Sequence, residues 1–301
     1  MRRNPVISTH HIQTSQSINI ELHVFEPPES PNEGIPSIVG TIVTVHPWAA
    51  LGGGEHNTIG LARCITTHSS SQKWRVITFT LQSTPVWRGG AVWGILSRHS
   101  YEVQQIVDVT RWAIEKFGSD NVVLVGSSAG APMAGSAMAQ LLYQDKNIVQ
   151  EKRLDDPDNQ QCNARPNLVS AYVAVGYTFG TFASLGFGRH FSSVTSAGNS
   201  PVLCGSDSAT TSEPHSSPPK LFIMGENDEF TTVAQLDQMV EKKRTSCSTS
   251  RADTEIVPNV GHFQLESPRY DPIVSNIIIG WLDRVLVENE GNQAGTDVCN
   301  N

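Results

Sequence analysis

The residues most able to do chemistry in this chain are a serine flanked by glycines, a histidine late in the sequence, and an acid between them. Gly126-Ser127-Ser128-Ala129-Gly130 fits G-x-S-x-G with Ser128 at the nucleophile position. The pattern alone is weak. Here it follows the buried-strand run Asn121–Val125 and precedes a helix rich in small residues, the strand–turn–helix setting in which such a serine is strained and exposed. The helix start behind it would aim backbone N–H groups and a partial positive charge at a developing oxyanion. A purely structural turn packing a helix on a sheet would use small residues too, but would not need the serine. Ser127 is expected to end the strand and to have no catalytic role.

A serine hydroxyl is a weak nucleophile and needs a base within hydrogen-bond reach. His262, in Pro258-Asn259-Val260-Gly261-His262-Phe263, sits just after the last predicted strand. A loop leaving the carboxyl edge of a parallel sheet would hang over the same edge as Ser128. The remaining histidines, His10, His11, His23, His68, His99, His190 and His215 among them, lie in polar or loop surroundings that suit solvated or packing roles. The base in turn needs an acid to orient it. Gly225-Glu226-Asn227-Asp228-Glu229-Phe230 follows another strand, and Asp228 is the candidate, with Glu226 and Glu229 as rivals one slipped residue away. The order Ser128, Asp228, His262 repeats nucleophile, acid, histidine, each after a strand.

The elements that must position these groups read as an alternation of strands and helices. Strands are expected at 17–26, Ser37–Val45, Trp74–Leu81, Asn121–Val125, Leu168–Val175, Lys220–Gly225 and Thr254–Val257. Helices are expected at 56–70, 99–117, from Gly130 to about Tyr143, Thr231–Arg244 and Tyr270–Val287. Several strands are near-continuous β-branched runs, so a mostly parallel sheet with helices on both faces is expected: an α/β fold. Residues 151–167 are polar and charged, and 192–219 are rich in Ser, Thr, Gly and Pro; both read as surface loops. The chain reads as one domain, with an N-terminal strand region 1–36, a core 37–287 and a loose tail 288–301.

At this point the chain resembles the α/β-hydrolase superfamily over roughly residues 37–287. The block His46-Pro47-Trp48-Ala49-Ala50-Leu51-Gly52-Gly53-Gly54-Glu55-His56-Asn57 is similar to the HP…GG..HN segment of small cap-less members related to dienelactone hydrolases and serine esterases. The resemblance implies that the backbone N–H groups of Trp48 and Ala129 form the oxyanion hole, with Gly52 and Gly53 as alternative donors to the former. It also implies that His56 and Asn57 start a helix and brace a loop. The loop Gln82-Ser83-Thr84-Pro85-Val86-Trp87-Arg88-Gly89-Gly90 departs from the Arg-Gly loop of many relatives, and its Trp87 is a candidate lining for the substrate pocket. Only a short apolar piece, Phe182–Phe191, occupies the place where many relatives carry a cap, which implies an open site.

Composition bounds what remains. The chain has 301 residues, 38% hydrophobic and 17% charged, enough apolar material for a core. Its 21 Lys+Arg against 29 Asp+Glu give a net charge of -8, a poor match for nucleic acid. Five cysteines, Cys64, Cys162, Cys204, Cys247 and Cys299, form no C-x-x-C pair, so neither a zinc site nor a disulfide framework is indicated. No apolar run follows Met1-Arg2-Arg3, and no stretch reaches the ~20 residues of a membrane span, so a soluble cytoplasmic protein is expected. The expected function is therefore a serine hydrolase that acts on a small-molecule acyl substrate without metal or organic cofactor. Peptide or amide hydrolysis and acyl transfer use the same triad and stay open, as does an idle scaffold that binds a protein partner. Oligomeric state is not legible.

Overall fold

The sheet is dictated by runs of residues that cannot be left in water. The computed structural model describes residues 4–28, 37–47, 53–70, 72–82, 100–118, 121–155, 168–178, 217–246 and 251–294. Its strands are β1 (Val6–Gln13), β2 (Asn19–Glu26), β3 (Ile38–Val45), β4 (Lys73–Phe79), β5 (Val122–Ser127), β6 (Ala171–Val175), β7 (Lys220–Gly225) and β8 (Ala252–Val257). They form one 8-stranded sheet in the order β1-β2-β4-β3-β5-β6-β7-β8. β1 pairs with β2 and β2 with β4 antiparallel; every later pairing is parallel.

Every residue of β5, β6 and β7 is buried, as a parallel strand covered on both faces requires. Side chains alternate between two cores. Val43, Val45, Leu124, Tyr172 and Phe222 face one side, where α2 (Ser100–Phe117), α3 (Gly130–Asp155) and α4 (Val233–Ser246) supply Ile106, Val107, Ala134, Met138 and Leu236. Ile42, Val123, Val125, Val173 and Ile223 face the other, against Leu61 and Ile65 of α1 (His56–Thr66) and Ile278, Trp281 and Leu282 of α6 (Asp271–Ala294). A four-residue helix, α5 (His262–Leu265), lies between β8 and α6.

Several boundaries differ from the sequence reading. β1 went unread because its alternation is faint: it is an edge strand with Val6 and Ile7 exposed, and its pairing with β2 supplies what its side chains do not. The helix expected to stop near Tyr143 runs to Asp155, into the polar stretch read as loop from 151. Residues 144–155 are mostly polar and charged in the sequence, so apolar spacing gave no signal beyond Tyr143. The last helix continues to Ala294, past the Glu288 at which a loose tail was expected. Conversely α1 stops at Thr66, where Thr66 and Thr67 hydroxyls donate to the Ala62 and Arg63 carbonyls. Most of the loop 192–219, the apolar piece 182–191, Trp48, Gly52 and Trp87 lie outside the described residues.

Candidate active site

The turn after β5 explains its own glycines. A β-carbon on Gly126 would run into the backbone of Ala131, and one on Gly130 into the carbonyl of His46. Only bare backbone lets α3 start this close to the ends of β3 and β5. Ser128 between them has φ 50, a left-handed conformation uncommon outside glycine, and its N–H donates to the Val175 carbonyl at 2.8 Å. The strain lifts its hydroxyl off the strand end. Ser127, by contrast, follows the strand's alternation and donates its hydroxyl to Glu266 Oε1 at 2.7 Å.

The three residues singled out from sequence meet over the carboxyl edge of the sheet. Ser128 Oγ is 2.8 Å from His262 Nε2. His262 Nδ1 is 2.7 Å from Asp228 Oδ2, and both side chains are fully buried. With Nδ1 donating to the carboxylate, Nε2 is left as the acceptor for the Ser128 proton. Asp228 is itself held: Oδ1 accepts the N–H groups of Phe230 and Thr231, each at 2.9 Å.

The two rival acids bind the histidine loop rather than the imidazole. Glu229 Oε2 accepts the backbone N–H of His262 at 2.8 Å. Glu226 Oε2 accepts that of Asn259 at 2.9 Å, a residue with φ 57 at the loop's sharpest bend. Asn227 N–H donates to the Val260 carbonyl, so the β7 turn and the histidine loop are stitched together on both sides of Asp228. Gly176, with φ +60, packs against the ring: a β-carbon there would lie 3.1 Å from His262 Cε1. Phe230 and Phe263 meet the imidazole edge-on at centroid distances of 4.7 and 5.4 Å, and Phe263 is 60% exposed, so the rim of the site is aromatic. Glu226, Glu229 and Gly176 carried no sequence signal as bracing groups, since their partners are backbone atoms and a ring edge reached only in the folded chain.

Ala129 is buried at the start of α3, and its N–H has no acceptor among the described residues. Trp48 lies outside them, but the residues leading to it are fixed. His46 Nδ1 is 2.5 Å from the Pro47 carbonyl, and Nε2 accepts the Leu81 N–H at 2.9 Å. Burial keeps His46 below the usual histidine range, against the raising effect of the Pro47 carbonyl. It is thus a neutral clamp between the ends of β3 and β4. Asn57 accepts the Gly54 N–H at 3.0 Å and His56 opens α1, the bracing roles expected of them. Among the described residues, no group of three or more His, Cys, Asp or Glu is placed to hold a metal ion, and no helix is long and apolar enough to cross a membrane.

No protein-family model matches the sequence, and no curated protein matches it. Solved structures do. A serine hydrolase homologue from Coxiella burnetii superposes with a TM-score of 0.54 at 16% identity, over 91% of this chain and 97% of its own. The fold is that of the α/β hydrolases. A Xanthomonas campestris α/β serine hydrolase described as lacking a lid gives 0.53 at 16% identity, covering 92% and 94% of the two chains. A dienelactone hydrolase from Anabaena variabilis gives 0.54 at 14%, covering 94% and 99%. The chain thus has the expected α/β-hydrolase fold and central sheet, with Ser128, Asp228 and His262 following β5, β7 and β8.

Proposed function

We propose that the protein is a serine hydrolase that cleaves a carboxylic ester or related acyl bond of a small molecule through an acyl-enzyme. The observation that carries this reading is the continuous hydrogen-bonded chain from Ser128 Oγ through His262 to Asp228. Ser128 attacks the acyl carbonyl as His262 Nε2 takes its proton, and Asp228 fixes the ring and stabilises the imidazolium. The N–H groups of Ala129 and Trp48 receive the tetrahedral oxyanion. The imidazolium then hands its proton to the departing alcohol. A water, deprotonated by the same nitrogen, releases the acid and restores Ser128.

Similarity in fold to serine hydrolases, a dienelactone hydrolase and esterases supports the reaction class. The aromatic rim formed by Phe230 and Phe263 suits an uncharged acyl or alcohol group better than a charged one, and Trp87 is proposed to join it. Residues 1–301 are read as one domain carrying this site. The test is turnover of short-chain p-nitrophenyl esters by wild type and Ser128→Ala. The proposal expects hydrolysis by the former and loss of about a thousandfold or more in the latter. Equal turnover by both would remove it.

A further inference from the structure

A second carboxylate closes the short helix that begins with His262 and has no part in the mechanism above. Glu266 caps the C-terminal end of α5, the short helix that begins with His262, and accepts the Ser127 hydroxyl at 2.7 Å. Ser127 immediately precedes the nucleophile, so this hydrogen bond joins the segment bearing the base to the turn bearing Ser128. We propose that Glu266 is a positioning residue for the base, a second negative charge that stabilises the imidazolium formed on His262 while its tether to Ser127 holds α5 against the nucleophile turn. This rests on Ser128 and His262 acting as nucleophile and base.

The argument is one of differential charge. With the imidazole neutral, a partly buried carboxylate beside ionised Asp228 gains little and suffers desolvation. When the Ser128 proton reaches Nε2, a cation appears on a ring bonded to Asp228 and within electrostatic reach of Glu266, four residues further along, and the interaction with Glu266 becomes favourable only then. Interactions that strengthen in the transition state are those that accelerate a reaction. The groups acting on Glu266 are consistent with this. Burial pushes its carboxyl above the usual range; the Ser127 hydroxyl and His262 pull it back down, and Asp228 pushes it up. These come from β5, α5 and the β7 turn. A glutamate with only a structural task at a helix end could face water instead.

The test uses the full chain and a fluorophosphonate probe, so no substrate need be known. The second-order rate of Ser128 labelling is followed from pH 5 to 9 for wild type, Glu266→Gln and Glu266→Asp, with Ser128→Ala as blank. Glutamine keeps an oxygen for the Ser127 hydroxyl and removes only the charge. Without that charge the base stays neutral to lower pH, so the acid limb is expected to move down by about half a unit to one unit. The plateau rate should fall roughly three- to tenfold. Glu266→Asp keeps the charge on a shorter arm and should hold the limb closer to that of wild type, which also serves if the glutamine variant folds poorly. A limb unmoved in Glu266→Gln, or the same shift in both variants, would overturn the proposal. Labelling of Ser128→Ala at the wild-type rate would instead remove the reading of the site itself, and Glu266's role with it.

Discussion

Gly176→Ala should disable the site through a single methyl group, and Gly118→Ala provides its control. Gly176 has φ +60 and Gly118 has φ +57, so alanine at either position incurs the same left-handed backbone penalty of about 1 to 2 kcal/mol. The surroundings differ. Among the described residues nothing lies within 4 Å of a β-carbon at Gly118, which closes α2 with its N–H on the Ile114 carbonyl. At Gly176 the methyl would sit 3.1 Å from His262 Cε1, 3.4 Å from Nδ1 and 3.8 Å from Nε2. The ring must then retreat by roughly a few tenths of an ångström, yet it is fixed at 2.7 Å to Asp228 and 2.8 Å to Ser128 and cannot keep both bonds. Base catalysis of this type contributes about a hundred- to ten-thousandfold, so a misplaced ring should cost on the order of ten- to a hundredfold in kcat/KM. Urea unfolding and ester kinetics on the two variants separate the effects. Both should lose similar stability, and only Gly176→Ala should lose activity beyond about twofold. Full activity in Gly176→Ala, or equal losses in both, would refute the claim that this glycine exists to admit the imidazole.

Asp228→Asn should lower kcat/KM by about a thousandfold or more, because an amide cannot balance the imidazolium and can present the wrong partner to Nδ1. Glu229→Gln and Glu226→Gln keep an oxygen for the N–H groups of His262 and Asn259, so steady-state kinetics should show each within about tenfold of wild type. Asp271→Asn should stabilise the protein at neutral pH. Burial pushes the Asp271 carboxyl up to about 6, so the folded state binds its proton more tightly than the unfolded state does, and stability falls as pH rises from about 4 to 6. The full shift would correspond to roughly 3 kcal/mol, but contact with solvent and the favourable start of α6 reduce the expected gain to about 1 kcal/mol at pH 7.5. That gain should vanish by about pH 4 in urea titrations.

How far the chain could be read before folding depended on where each signal is written. The interior strands and Ser128 were legible because burial on both faces forces β-branched runs, and because a serine elbow admits little beyond glycine and alanine around it. Asp228 was legible only to within a turn. Three acids stand close together, and their roles are sorted by which backbone N–H groups the turn presents: Phe230 and Thr231 claim one oxygen of Asp228, while His262 and Asn259 claim Glu229 and Glu226. β1 was hidden because an edge strand is stabilised by pairing more than by its side chains. The far ends of α3 and α6 were hidden because residues 144–155 and 288–294 carry too few apolar residues to show a helical period. Glu266 gave no warning, since nothing in sequence joins position 266 to position 127.

The central claim is that Ser128 is the nucleophile activated by His262, and covalent capture tests it most directly. After incubation with a fluorophosphonate, digestion and mass spectrometry should place a single phosphonyl adduct on the peptide containing Ser128. The adduct should be absent in Ser128→Ala and form at least a hundredfold more slowly in His262→Ala. An adduct on another residue, undiminished labelling of Ser128→Ala, or an unchanged rate in His262→Ala would contradict the account.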